Sequence, residues 1–120
     1  MSSWNLIEQQ QKAICDKLKI DRTPVDINSL IAFNESLLST KRPINGLRHP
    51  RQGSIDGWYL WSGDEIPQHD DNFFKPLHIG HLIKDRPIVL KYLGLPAGWR
   101  FQIDDKGYED IWFDESLLMI

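Results

Sequence analysis

Apolar residues recur at Ile7, Ile14 and Leu18 with polar residues between them, one stripe along a helix near the start of the chain. Asn5 followed by Glu8 suits a capping pair for that helix. Thr23-Pro24 and Asp26 form a second start signal, because Pro suits the first helical position and an acid suits the positive helix end. Ile27, Leu30, Ile31, Asn34 and Leu38 then share one helical face. The pattern predicts two amphipathic helices and makes residues 1–40 a helical N-terminal part. Short helices are unstable alone in water, so both must pack their apolar faces on a neighbour.

The pattern changes over residues 41–54. Lys41, Arg42, Arg48 and Arg51 occur without an acid, and Pro43, Gly46, Pro50 and Gly53 punctuate them. This reads as a basic loop holding at most a short strand. Residues 55–61 follow as a strand in which Ile55, Gly57, Tyr59 and Trp61 alternate with Asp56, Trp58 and Leu60. Both sets are largely apolar, so the strand is expected to be covered on both faces. Residues 64–72 are polar and acidic and read as an exposed loop.

Short helices are expected next, one opened by Pro76 and carrying Leu77, Leu82 and Ile83, another opened by Pro87. Gly94 is placed as a left-handed stop, and Pro96 prevents continuation. The end of the chain reads as a hairpin. Trp99, Phe101 and Ile103 alternate with Arg100 and Gln102, Asp104-Asp105-Lys106-Gly107 makes the turn, and Tyr108, Ile111 and Phe113 lie along the return. Residues 116–120 form a short apolar end. Helices, strand, short helices and hairpin in that order predict an α+β domain: a small antiparallel sheet with N-terminal helices and short helices packed on it.

Composition narrows the class. The 120 residues suffice for one domain, and 41% hydrophobic with 26% charged residues fits a globular chain better than disorder. No apolar run approaches the length that spans a bilayer, so no membrane role is expected. The first twenty residues lack the apolar core of a signal peptide, and the single Cys15 excludes an internal disulfide. A cytoplasmic setting is the expectation. Cys15 lies in a helical pattern and reads as an inert thiol.

Catalytic signatures are lacking. The chain has no G-x-S-x-G, no phosphate-binding loop and no G-x-G-x-x-G, and nothing in it calls for a cofactor. His78 and His81 are spaced to share one helical face and are the weak candidates for a metal site, with His69, Asp70 or Asp71 as further ligands. A metal-dependent enzyme is therefore one alternative. A small-ligand module with an aromatic pocket near Trp58 and Trp61 is another. The net charge of −3 and a basic loop without aromatics argue against nucleic acid as the partner.

Charge is unevenly spread. Residues 1–63 hold eight Lys or Arg and six acids, a net of +2; residues 64–120 hold six against eleven, a net of −5. Asp104, Asp105, Glu109, Asp110, Asp114 and Glu115 all fall within twelve residues that hold one Lys. Such a cluster attracts a basic partner, or it serves as a solvated edge that discourages sheet-to-sheet aggregation. Most of the five tryptophans suit core packing. Trp112 is out of phase with Ile111 and Phe113 amid acids, and is expected to be the exposed one, an interface anchor.

Three stretches carry a family resemblance. GWYLWSGDE (57–65) resembles a G-W-x-x-x-S-G-D/E signature through Trp58, Gly63, Asp64 and Glu65, with Tyr59-Leu60-Trp61 departing in the middle from the more usual Arg and Phe. KYLGLPAGWRF (91–101) and YEDIWFDESLL (108–118) add Gly98, Trp99, Tyr108, Asp110 and Trp112. The chain resembles the tryptophan-bearing immunity-protein family of bacterial polymorphic toxin systems, from about Ile55 to its end. The resemblance implies a small cytoplasmic protein that binds and neutralises a cognate toxin and has no catalytic residue. A basic toxin would suit the acidic hairpin, whose Asp104, Asp105, Glu109, Asp110, Trp112, Asp114 and Glu115 are the expected partner-binding residues.

Overall fold

The computed structural model of the chain describes residues 3–39, 42–51, 53, 55–63 and 74–119. Helix α1 (Ser3–Leu18) is followed by strands β1 (Leu30–Phe33), β2 (Ile44–Arg48), β3 (Ile55–Ser62) and β4 (Lys75–His78), helix α2 (Gly80–Asp85), and strands β5 (Trp99–Ile103) and β6 (Glu109–Phe113). Short 3-10 helices cover Glu35–Leu38, Pro87–Tyr92 and Glu115–Leu118. The six strands form one sheet in the order β4-β1-β3-β2-β5-β6. All neighbours are antiparallel except β1 and β3. The fold is α+β, as the element order implied.

Alternation sorts the strand residues onto two faces. One face carries Ile31, Ile44, Trp58, Leu60, Phe101 and Ile103, all at most 1% exposed, and α1, α2 and the 87–92 segment cover it. Gly46 lies on this face because a side chain there would meet the Phe101 ring at 2.2 Å. Phe101 fills the space, stacked on Tyr92 at 4.7 Å and tilted against Trp58 at 5.7 Å. The other face holds a smaller cluster of Leu47, Trp61 and Leu117, with Tyr59 and Phe74 packed beside it. Coverage of β3 on both faces agrees with its apolar run.

Helix α1 presents Ile7, Ile14 and Leu18 to the core as its stripe predicts. It begins at Ser3, so Asn5 and Glu8 lie inside the helix and do not cap it. Its C-terminus closes with Lys19 at φ 62°: Ile20 N–H reaches the Cys15 carbonyl and Lys19 N–H that of Asp16. Gln11 donates to the Leu90 carbonyl at 2.9 Å, fixing the helix on the 87–92 segment. Burial pushes the Cys15 thiol up, away from reactivity.

Four expectations are corrected. The second helix does not form. Leu30–Phe33 is four consecutive apolar residues, and pairing with β3 and β4 satisfies its backbone on both sides, so tertiary context overrides the helical spacing. Pro76 opens no helix; it sits in the edge strand β4, where a missing N–H is tolerated. Gly94 is not left-handed. It lies beneath α1, where a side chain would meet Gln11 at 2.8 Å and Arg22 at 2.9 Å. The basic stretch contains the central strand β2, buried along its whole length between β3 and β5. Its polar residues hid it, because Asn45 and Arg48 are polar yet hydrogen-bonded inside.

Arg48 is 4% exposed and forms a short ion pair with Asp56, itself 2% exposed. Its Nη1 donates to the carbonyls of Thr23, Leu93 and Leu95 at 3.0, 3.3 and 2.8 Å. The guanidinium lies 5.6 Å from the Trp58 ring. One side chain thus ties β2 and β3 to the segment after α1 and the segment before β5. Burial pulls Arg48 below the ordinary arginine value, and Asp56 opposes that pull. Asp56→Ala leaves this cation buried without its carboxylate and is expected to cost about 3–5 kcal/mol in urea unfolding, whereas Arg48→Met with Asp56→Leu costs less than either single change. A loss below about 1 kcal/mol for Asp56→Ala contradicts the role given to the pair.

Candidate polypeptide-binding edge

The hairpin forms as its sequence predicts. Trp99 pairs with Phe113 and Ile103 with Glu109. Asp104 holds the turn by accepting the N–H groups of Lys106 at 2.8 Å and Tyr108 at 2.9 Å, and Gly107 takes φ 94°. These two N–H bonds hold the Asp104 carboxyl below its ordinary value. At the far end Asp114 accepts from Ser116 and from Arg100 at 3.1 Å, and these hold its carboxyl low as well.

The acids therefore differ in what they have left to offer. Asp105 meets Arg42 at 3.5 Å. Glu109 accepts the Tyr92 hydroxyl, whose ionisation burial and this carboxylate both oppose. Asp110 and Glu115 have no ion pair or side-chain hydrogen bond among the described residues. Asp110 lies within β6, and Glu115 lies beyond its end in the 3-10 helix that follows. The six carboxylates line one strand and its two ends; they do not converge on a point.

Trp112 is half-buried, with the Arg100 guanidinium 5.3 Å from its ring and Arg100 in turn paired with Asp114. The exposed aromatics here are Tyr108 and Phe113, at 45% and 47%. Their exposure follows from place: Tyr108 follows the turn, and Phe113 ends the edge strand. Tyr108 donates to Gln102 at 3.0 Å, Gln102 to Asn45 at 2.8 Å, and Asn45 to the Gly63 carbonyl at 2.8 Å, a chain of polar side chains across the sheet. On the helix side a groove of about 540 Å³ separates α1 from β6, lined by Ala13, Ile14, Leu18 and Ile111 together with the charged Lys17, Lys91, Glu109 and Asp110.

The resemblance residues mostly hold the fold. Trp58 is buried and donates to the Leu93 carbonyl at 3.1 Å. Gly63, at φ 100°, donates to the Pro43 carbonyl and accepts from Asn45. Gly98 sits beneath Phe113, whose ring a side chain there would meet at 2.5 Å, and Trp99 packs edge-on against the same ring at 5.6 Å. Asp64 and Glu65 lie outside the described residues.

The remaining candidates are dispersed. His78 ends β4 and His81 lies in α2, so they share no helix face; their rings stack at 6.3 Å beside a cleft that includes Asn28 and Asp85. His69, Asp70 and Asp71 lie outside the described residues, among which no group of three ligands is placed to hold a metal. Trp58 and Trp61 point to opposite faces of β3 and line no common pocket. In the basic stretch Arg42, Arg48 and Arg51 each meet a carboxylate, Arg51 while still exposed, and Lys41 lies outside the described residues.

The Imm33-like domain model matches residues 10–114. Its reach includes the second half of α1 and all of β1 and β2, well before the motifs that carried the resemblance. No curated protein and no solved structure matches the chain. Among the described residues no helix is long and apolar enough to cross a membrane.

Because the Asp104 and Asp114 carboxyls are lowered in the folded state, the stability they add is complete above the ordinary value of 3.8 and is lost as pH falls through their lowered values. Ser116→Ala removes the largest cause acting on Asp114. Its midpoint in a carboxylate NMR titration is expected to rise towards 3.8 while that of Asp104 stays put. Unchanged midpoints for both contradict the assignment.

Proposed function

The chain belongs to the Imm33-like family of immunity proteins, and from that premise we propose that it neutralises a cognate toxin by direct contact, without catalysis, in the cytoplasm of the cell that makes both. The observation that carries this reading is the extent of the family match, residues 10–114, which makes nearly the whole domain the immunity module. An inhibitor needs no reacting groups. It needs a surface that excludes the toxin's substrate, which is compatible with a domain whose strongest polar constellation, Arg48 and Asp56, is sealed inside.

The contact surface in this reading is the hairpin end, with Asp110 and Glu115 as the carboxylates free to meet a partner and Tyr108 and Phe113 as its exposed aromatics. Asp104, Asp105, Glu109 and Asp114 hold the hairpin in shape and add to its field. Arg100 lies over the Trp112 ring at 5.3 Å, and Trp112 is half-buried, so it offers less surface than Tyr108 or Phe113. An acidic surface of this kind speeds capture of a basic partner, and buried aromatics slow its release.

Charge reversal at the two unpartnered acids separates this surface from the rest without disturbing the hairpin. Asp110→Lys with Glu115→Lys is expected to slow association with the toxin domain encoded beside the gene by about tenfold at low salt and to flatten its salt dependence. Stopped-flow mixing reads the rate. Wild-type rates in the double variant move the contact to another face.

A further inference from the structure

The free edge of β6 offers more than charge. The β5–β6 ladder can be phased from two backbone bonds: Asp104 N–H to the Tyr108 carbonyl and Asp114 N–H to the Gly98 carbonyl. Both pairs belong to the register in which Gln102 faces Asp110 and Arg100 faces Trp112. Hydrogen-bonded pairs alternate in an antiparallel ladder, so Asp110 and Trp112 turn their backbone groups towards β5. The N–H and C=O groups of Glu109, Ile111 and Phe113 therefore point outwards, and β6 is the last strand on its side of the sheet. Among the described residues none bonds to them.

The opposite edge is blunted by Lys75 and Pro76 in the short strand β4. Strand β6 has neither Lys nor Pro. A segment laid along it would turn alternate side chains to opposite faces. On the helix side they would meet the groove, whose apolar Ala13, Ile14, Leu18 and Ile111 lie among Lys17, Lys91, Glu109 and Asp110. On the other side they would meet Asp110, Trp112 and Asp114. The fitting occupant alternates apolar residues with Lys or Arg. A second copy of this chain does not fit: β6 on β6 brings together Glu109, Asp110, Asp114 and Glu115 from both copies, with no cation between residues 109 and 119.

We propose that β6 binds an extended apolar-and-basic segment of the toxin by strand addition, through the outward backbone groups of Glu109, Ile111 and Phe113. This rests on the immunity reading and specifies how the contact is made. It assigns to the sheet edge a purpose beyond solvation, with the carboxylates selecting the partner and excluding self-pairing.

Amide hydrogen exchange followed by NMR, with and without the catalytically inactivated toxin domain encoded beside the gene, tests it. In the free protein, Asp110 and Trp112 should be protected and Glu109, Ile111 and Phe113 should exchange quickly. On binding, the outward three should slow by more than tenfold. Phe113→Pro deletes one outward N–H and leaves the β5 ladder intact, so it should weaken binding at least tenfold more than Phe113→Ala. Binding without slowing of the outward amides overturns strand addition and leaves the immunity reading standing. No binding at all overturns both. Protection of the outward amides in the free protein, rising with concentration, points to self-pairing and overturns the choice of occupant. Should Phe113→Pro fail to fold, the wild-type exchange pattern decides alone.

Discussion

The buried pair of Arg48 and Asp56 is the contact on which the rest of the arrangement depends. A guanidinium at 4% exposure is tolerable only if it is paired and hydrogen-bonded, and here its two terminal nitrogens meet a carboxylate and three carbonyls. Those carbonyls belong to the chain after α1 and to the turn that leads into β5. The pair therefore sets where α1 is tethered and where the hairpin starts. Gly98, which opens β5, donates to the Arg48 carbonyl itself and accepts from Asp114, so the same residue also anchors the far end of β6.

From that anchor the hairpin extends to the margin of the sheet as a rigid element. Phe101 and Ile111 fix its inner face in the core, Asp104 closes its turn, and Asp114 joins it to the 3-10 helix whose Leu117 covers the smaller cluster. In the proposed contact, paired strands order the surface before the toxin arrives, which lowers the entropic cost of association. The carboxylates divide the labour: four shape the hairpin while Asp110 and Glu115 face solvent, so the field of the whole group is larger than the number of groups free to pair.

How much of this could be read in the residues varies with distance along the chain. Helix α1 and the hairpin were legible because their signals are local: a 3.6-residue stripe, and alternation interrupted by Asp104-Asp105-Lys106-Gly107. Strands β1 and β2 were not. Leu30–Phe33 matches a helix face as well as it matches a strand, and only pairing with β3 and β4 decides between them. Ile44–Arg48 carries Asn, Gly and Arg in a central strand, and the partners that make those residues tolerable lie at Gly63, Gln102, Phe101 and Asp56. The acidic end was visible as composition, and the likeness to an immunity family was visible in short motifs. Which acids have partners depends on Arg42, Tyr92 and Arg100, each brought close only by folding. The same holds for Trp112, covered by Arg100, and for the exposure of Tyr108 and Phe113.

The central claim is that the protein acts by occupying a toxin and not by altering it. A titration of the cognate toxin's own activity addresses that claim directly. If the protein binds tightly and does no chemistry, residual activity should fall linearly and reach its floor at a fixed molar ratio near one, and active toxin should be recovered on denaturing the complex and refolding it. Inactivation by a small fraction of an equivalent, progressing with time and surviving removal of the protein, would contradict it.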